Sequence, residues 1–127
     1  MTARVLIVDD HAAFRSLARR LLTAAGFQVV GEAGDAADAL VAVHALDPDV
    51  VLLDVQLPDL DGFAVAEQLA GRPGAPLVVL VSSRERLDYG SRVDHCRARG
   101  FIPKADLSGE SLWRVIDGPQ EVAPCPV

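Results

Sequence analysis

The sequence predicts an α/β fold, a doubly wound sandwich in which helices cover both faces of a parallel sheet. Short β-branched runs alternate with longer segments of helical period five times along the chain. Runs such as Val50–Leu53 are apolar throughout, which is typical of strands that are buried on both faces. With 127 residues, 50% of them hydrophobic, the chain is expected to form one domain with its own core.

The five strands are expected at the apolar, β-branched runs: Val5–Val8, Gln28–Val30, Val50–Leu53, Leu77–Val81 and Gly100–Pro103. The first helix is predicted from a stripe of apolar residues at helical spacing: Phe14, Leu17, Leu21 and Ala25. Arg15, Arg19 and Arg20 are expected on its solvent-facing side. Gly26 is expected to end this helix, since glycine is the usual residue at a helix C-terminus.

The remaining helices are predicted over about 36–46, 63–70, 86–97 and 109–116. Asp35 is expected as the N-cap of the second helix, and Pro48 follows the end of that helix. The third of these predicted helices has the sparsest apolar stripe and is interrupted by Gly90. The chain then ends in a segment with three prolines and no period, so we expect a domain over residues 1–118 and a flexible tail over residues 119–127.

Composition and charge exclude several classes of protein. The net charge is -6 and the pI is about 4.9, whereas nucleic-acid surfaces are rich in basic residues, so no direct DNA binding is expected. The longest apolar stretch, Ala75–Val81, is too short to span a membrane. There is no signal-peptide pattern and no CxxC spacing between Cys96 and Cys125, which predicts a cytoplasmic protein with reduced thiols.

The chemistry is expected at one edge of the sheet, because ligands of open parallel sheets bind outside the carboxyl ends of the strands. The residues that end the first, third, fourth and fifth strands are Asp9–Asp10, Asp54, Ser82–Ser83 and Lys104. Carboxylates brought together repel one another unless a cation lies among them, and hard oxygen ligands suit Mg²⁺, with Mn²⁺ as a workable substitute. Lys104 is the only lysine of the chain, which favours a place that needs a compact ammonium. These groups together are typical of a phosphoryl-transfer site.

The motifs around these residues resemble those of response-regulator receiver domains of two-component signalling. They are Val8-Asp9-Asp10-His11, the loop from Leu53 to Gly62, the hydroxyl at Ser82, and Gly100-Phe101-Ile102-Pro103-Lys104. The Asp-Asp-His motif is most similar to that of receivers of the nitrate-response type. The resemblance extends from about Arg4 to Ile116, and it implies a flavodoxin-like (βα)5 fold with the strand order 2-1-3-4-5.

The resemblance implies a role for each acidic residue of the site. Asp54 would be the phosphoacceptor, taking a phosphoryl group from a sensor histidine kinase or a phosphotransfer protein. Asp10 and Asp54 would bind Mg²⁺ directly, and Asp9 would act mainly through a metal-bound water. Gln56 would add its backbone carbonyl as a further ligand.

The resemblance also implies the groups that contact the phosphoryl group and respond to it. Lys104 would pair with the phosphoryl group, Ser82 would donate a hydrogen bond to it, and Phe101 would change rotamer. Counting along the chain from Asp54 selects Ser82 as the switch hydroxyl, and the adjacent Ser83 stays an alternative.

The other residues of these motifs are expected either to have a structural role or to affect the rate of dephosphorylation. Asp59 and Asp61 belong to a turn sequence and are assigned no metal. His11 is interpreted as a helix-start residue on the rim of the site. Gln56 and Arg84 are expected to set the lifetime of the phosphorylated state, through sterics and charge.

The predicted function is that of a stand-alone receiver, a phosphorylatable switch without its own output domain. It is not expected to be an enzyme beyond its self-catalysed phosphotransfer and autodephosphorylation.

Phosphorylation would change the face formed by the predicted fourth helix, the fifth strand and the last helix, which would then contact a downstream protein. That face carries arginines that suit an acidic partner: Arg84, Arg86, Arg92, Arg97 and Arg99. A homodimer is compatible with the sequence. The alternative is a degenerate receiver that binds its partner whether or not it is phosphorylated.

Overall fold

The computed structural model describes residues 3–83 and 98–117, and within them five strands form one parallel sheet in the order β2-β1-β3-β4-β5. The strands are β1 Arg4–Val8, β2 Gln28–Ala33, β3 Val50–Asp54, β4 Leu77–Ser82 and β5 Gly100–Pro103. The helices of this part are α1 Ala12–Ala24, α2 Ala36–Leu46, α3 Gly62–Ala70 and α4 Gly109–Asp117, with a 3₁₀ turn over Lys104–Asp106. The predicted fold class and strand order are confirmed. The predicted helix over 86–97 and the predicted tail lie outside the described residues.

The core lies on both faces of the sheet, because alternate residues of each strand point to opposite sides. On β1, Leu6 and Val8 pack on the side of α2 and α3. Val5 and Ile7 pack on the other side, against α1 and α4. All four side chains are fully buried, as the continuously apolar strand sequences predicted.

Helix α1 presents a different stripe to the core from the one its sequence suggested. Ala18 and Leu22 are its fully buried residues, whereas Leu17 is 42% exposed. The buried side follows a four-residue spacing from Phe14, so the prediction of Leu17 as a core residue is wrong. The prediction of the helix end is confirmed, since Gly26 directly follows the C-cap with a φ of 97°.

Helix α2 is capped at its N-terminus from two parts of the chain. The side chain of Asp35 accepts a hydrogen bond from the Asp38 amide at 2.8 Å, which confirms the predicted N-cap. The carboxylate of Asp59, which lies 23 positions after Ala36, accepts from the Ala36 and Ala37 amides at 2.8 and 3.1 Å. These contacts tie the β3–α3 loop to the start of α2.

Residues 3–83 and 98–117 contain no helix of the length and apolar character that a bilayer-crossing segment needs.

Candidate functional site at the carboxyl edge of the sheet

Three charged side chains from different strands meet at the carboxyl edge of the sheet. Asp9 directly follows β1, Asp54 ends β3 and Lys104 follows β5. The Lys104 Nζ lies 2.6 Å from Asp9 Oδ2 and 3.4 Å from Asp54 Oδ2. Both carboxyl groups are buried, Asp9 completely, and the lysine side chain is 16% exposed. The parallel topology accounts for the meeting, because it puts the ends of all the strands at the same edge.

Asp10 and His11 lie on the solvent side of this cluster. The His11 Nδ1 is 3.1 Å from Asp9 Oδ1 and 3.1 Å from Asp10 Oδ1, and the His11 amide donates to Asp9 Oδ1 at 2.7 Å. His11 is the N-cap residue of α1, as the helix-start interpretation stated, but the contact of its ring with both carboxylates was not foreseen. One ligand atom from each of Asp9, Asp10, His11 and Asp54 lies within 4.8 Å of the others.

The donor set fits a divalent cation that prefers oxygen ligands. Asp9 Oδ2 is buried without a hydrogen-bond partner of good geometry, so its close contact with Lys104 is an ion pair rather than a directed hydrogen bond. A buried carboxylate oxygen in this state can accept a cation or a cation-bound water. The carboxylates of Asp10 and Asp54 complete an acidic group that Mg²⁺ or Mn²⁺ could occupy.

Burial and charge shift the proton affinities of two members of the cluster. Burial raises the pKa of Asp54, and the charge of Asp9 adds to this rise, while the Gln56 amide at 3.1 Å from Asp54 Oδ1 and the ammonium of Lys104 oppose it. Burial alone would lower the pKa of Lys104, but its contacts with Asp9 and Asp54 outweigh burial and raise that pKa. Lys104 is therefore a cation at every physiological pH.

Ser82 and Ser83 differ in their surroundings. Ser82 is the last residue of β4, is fully buried and is paired with Pro103 of β5, whereas Ser83 lies beyond the strand and is exposed. Phe101 is half-buried on β5 and packs on the core side that holds α2 and α3. Of the two serines, Ser82 therefore has the surroundings of an internal switch group, and its role stays a prediction.

The β3–α3 loop holds Gln56, Asp59 and Asp61. Gln56 is exposed two positions after Asp54, and Asp61 caps α3 by accepting from the Phe63 amide at 2.7 Å. Asp59 and Asp61 are thus capping residues, in agreement with the turn interpretation. Gly62 was not singled out from the sequence, yet its Cα packs so closely on the Asp54 carbonyl that a Cβ there would clash with the backbone.

Two arginines have contacts that the sequence did not predict. Arg99 was assigned to a basic docking surface, but its Nε and Nη2 donate to the Val115 and Ile116 carbonyls at 2.9 and 3.1 Å and so cap α4. Arg15 was expected to face solvent, and this is wrong, because its Nη1 donates to the Asp9 carbonyl at 2.6 Å. The other arginines of the predicted surface lie outside the described part of the chain: Arg84, Arg86, Arg92 and Arg97.

Comparisons with known proteins identify the family. The family model for the response regulator receiver domain matches residues 5–114. The transcriptional regulatory protein PdtaR of Mycobacterium tuberculosis is 36% identical over 101 residues, which cover 80% of this chain and 49% of PdtaR. The protein-glutamate methylesterase/protein-glutamine glutaminase 5 of Myxococcus xanthus is 51% identical over 81 residues, which cover 63% of this chain and 23% of that protein. The chain thus spans about half or less of these curated relatives.

Two solved structures give the same result. The signal receiver domain of NarL from Mycobacterium tuberculosis superposes with a TM-score of 0.82 at 32% identity, over 93% of this chain and 98% of that one. The two-component response regulator of the LuxR family from Aurantimonas sp. SI85-9A1 superposes with a TM-score of 0.83 at 26% identity, over 98% and 91%. The chain belongs to the family of response-regulator receiver domains of two-component signalling.

Proposed function

We propose that this receiver accepts a phosphoryl group on Asp54 from a sensor histidine kinase or a phosphotransfer protein, in a reaction that requires Mg²⁺. The observation that carries the proposal is the meeting of Asp9, Asp54 and Lys104 in one buried cluster, with Asp10 at its solvent side. A buried carboxylate beside a fixed ammonium and a cation-binding acidic pair is what phosphoryl transfer to an aspartate needs.

The transfer exchanges one bond to phosphorus for another. An Asp54 carboxylate oxygen attacks phosphorus in line, the bond from phosphorus to the donor imidazole nitrogen breaks, and the imidazole takes up a proton from solvent. Asp10, Asp54 and the Gln56 carbonyl would hold Mg²⁺, with Asp9 acting through a metal-bound water. When bound, the ion supplies positive charge that neutralises the phosphoryl oxygens. Lys104 supplies a second positive charge at the same place.

We propose further that phosphorylation changes the surface formed by β5 and α4. The phosphoryl group brings close to two negative charges and three acceptor oxygens. Lys104 would turn from Asp9 toward these oxygens, Ser82 would donate a hydrogen bond to them, and Phe101 would fill the space that Ser82 leaves. A downstream protein would recognise the changed surface. The stand-alone arrangement, the cytoplasmic location, a homodimer and the rate effect of Gln56 stay predictions.

The direct test is incubation of the full chain with acetyl phosphate and Mg²⁺, followed by intact mass measurement. We expect a single phosphoryl adduct, and we expect Asp54→Asn or chelation of the metal to abolish it. Asp61→Asn is the matched control, because it makes the same change at a capping residue in the loop that follows Asp54, and it should leave the adduct intact. An adduct that persists in Asp54→Asn would overturn the assignment. No adduct in the wild type, together with full partner binding, would favour the degenerate receiver.

A further inference from the structure

Arg15 connects the loop that carries the acidic pair to the neighbouring strand. It lies in the second turn of α1, and its side chain is 22% exposed. Its Nη1 donates to the Asp9 carbonyl at 2.6 Å, and its Nε pairs with Glu32 Oε1 at 3.1 Å. The guanidinium thus bridges the β1–α1 loop and β2, and its planar shape fixes the direction of both contacts.

Glu32 is itself held by a second arginine. The Arg19 Nε lies 2.6 Å from Glu32 Oε2, on the oxygen that Arg15 does not contact. The hydrogen bond from Arg19 is the largest cause that lowers the pKa of Glu32, and the contact with Arg15 lowers it further. Glu32 therefore stays ionised, and it anchors Arg15 through Nε while Nη1 reaches the Asp9 carbonyl.

We infer that Arg15, anchored by Glu32, is a positioning residue for the divalent cation. The carbonyl that Arg15 holds belongs to the peptide that joins Asp9 to Asp10. Fixing this peptide plane fixes the point from which the Asp10 side chain leaves the backbone. The inference rests on the proposed function, because it assumes that these two acidic residues serve a divalent cation.

The charge of Arg15 and its positioning role predict opposite effects on cation affinity when Arg15 is removed. A guanidinium near a cation site repels the cation, so its removal should tighten cation binding if charge alone matters. If Arg15 positions the loop, its removal should weaken binding, as is usual when a residue that orients a metal ligand is lost. Arg19→Met is the matched control, since it removes the same charge from the same helix and the same glutamate without touching the Asp9 carbonyl.

The test is calorimetric titration of Mg²⁺ into the full chain, with circular dichroism to verify folding. We expect Arg15→Met to raise the Kd about tenfold, and Arg19→Met to change it by about twofold or less. Arg15→Lys, which keeps the charge but not the planar bridge, should weaken binding to an intermediate degree. Binding to Arg15→Met as tight as or tighter than to the wild type, equal losses in both Met variants, or wild-type affinity in Arg15→Lys would overturn the inference. A wild type that binds no Mg²⁺ would instead overturn the proposed function, and the inference with it.

Discussion

Within the part of the chain that the structure describes, Lys104 is the only cation in the buried cluster with Asp9 and Asp54. Replacing Lys104 by methionine removes this cation. Methionine keeps most of the length and apolar surface of the lysine stem, so the change mainly deletes the charge. Asp9 and Asp54 would then face each other without an ammonium between them. We expect Lys104→Met to lower the free energy of unfolding strongly at neutral pH when no divalent cation is present.

The size of this loss in unfolding free energy follows from the distances between the Lys104 ammonium and the two carboxylates. At an effective dielectric constant of about 20, the separations of 2.6 and 3.4 Å correspond to gross attractions of about 6 and about 5 kcal/mol. Desolvation of the buried ions offsets much of this attraction in the wild type. Removing one partner of a buried ion pair nevertheless costs about 3–5 kcal/mol, because the remaining charge stays buried and uncompensated. We therefore expect a loss of about 3–5 kcal/mol.

The assay is urea unfolding of Lys104→Met beside Arg114→Met. Arg114 forms an exposed pair with Glu110 on α4, so its loss should cost less than about 1 kcal/mol. Without the ammonium, the pKa of Asp54 rises further above its unfolded value, so the loss of stability should shrink as the pH is lowered. Added Mg²⁺ should also restore stability. Equal losses in the two variants, or a deficit that ignores both pH and Mg²⁺, would refute the reasoning.

Three further predictions concern the surroundings of the site. Gly62→Ala should slow phosphorylation by acetyl phosphate and cost about 1–3 kcal/mol of stability, since its Cβ clashes with the Asp54 carbonyl; an unchanged adduct rate would contradict this. Asp59→Ala should lower Tm without altering the adduct mass, since it removes the capping contacts from the β3–α3 loop to α2 while Asp35 remains, and Asp59→Asn should restore part of the loss. The Phe14 ring lies 4.6 Å from Lys104 Nζ, so Phe14→Leu should lower the pKa of Lys104 by removing a cation–π contact worth about 0.5–1 kcal/mol. Nitrogen NMR of lysine-labelled protein would report this residue alone, and an unshifted titration would contradict the contact.

The carboxyl-edge cluster could be predicted from the sequence because it depends on strand ends. In a parallel sheet, the residue after each strand lies at a known edge, so an apolar run followed by Asp9, Asp54 or Lys104 already locates that side chain. The approach of the lysine to Asp9 at 2.6 Å, closer than to Asp54, could not be predicted in this way. Lys104 begins the 3₁₀ turn after β5 and its ammonium lies 4.6 Å from the Phe14 ring, and neither feature can be read from the strand ends.

Several contacts that the sequence did not predict depend on residues from different elements. Helical period alone placed Arg15 toward solvent, but a long side chain can reach back to the Asp9 carbonyl when Glu32 of β2 lies opposite. Asp59 was recognised as a turn residue, yet the helix that it caps begins 23 positions earlier at Ala36. Such contacts depend on the relative placement of whole elements, which local patterns do not specify.

The buried carboxyl of Asp54 should make the metal-free protein less stable at neutral pH than the Asp54→Asn variant. Because burial raises the pKa of Asp54, the folded state binds this proton more tightly than the unfolded state does. The ionised carboxylate therefore costs stability at neutral pH, and this cost disappears as the pH falls through the folded-state pKa. Lys104 contributes no pH dependence in this range, because its raised pKa keeps it protonated in both states.

Asp54→Asn removes that cost and leaves Lys104 paired with Asp9 at 2.6 Å, so it should raise the Tm of the metal-free protein at neutral pH. The difference should shrink as the pH is lowered through the raised pKa of Asp54. Mg²⁺ should reverse the order by stabilising the wild type more than the variant, because a bound cation compensates the carboxylate that the variant lacks. Thermal unfolding at neutral and at acidic pH, with and without Mg²⁺, measures both effects, and Asp61→Asn is the control for an amide in the loop that follows Asp54. If the Tm difference between the wild type and Asp54→Asn is equal at both pH values, ionised Asp54 has no higher free energy in the folded protein than in water. The cation would then have no unfavourable buried charge to compensate, and the stabilising effect of Mg²⁺ would need another source.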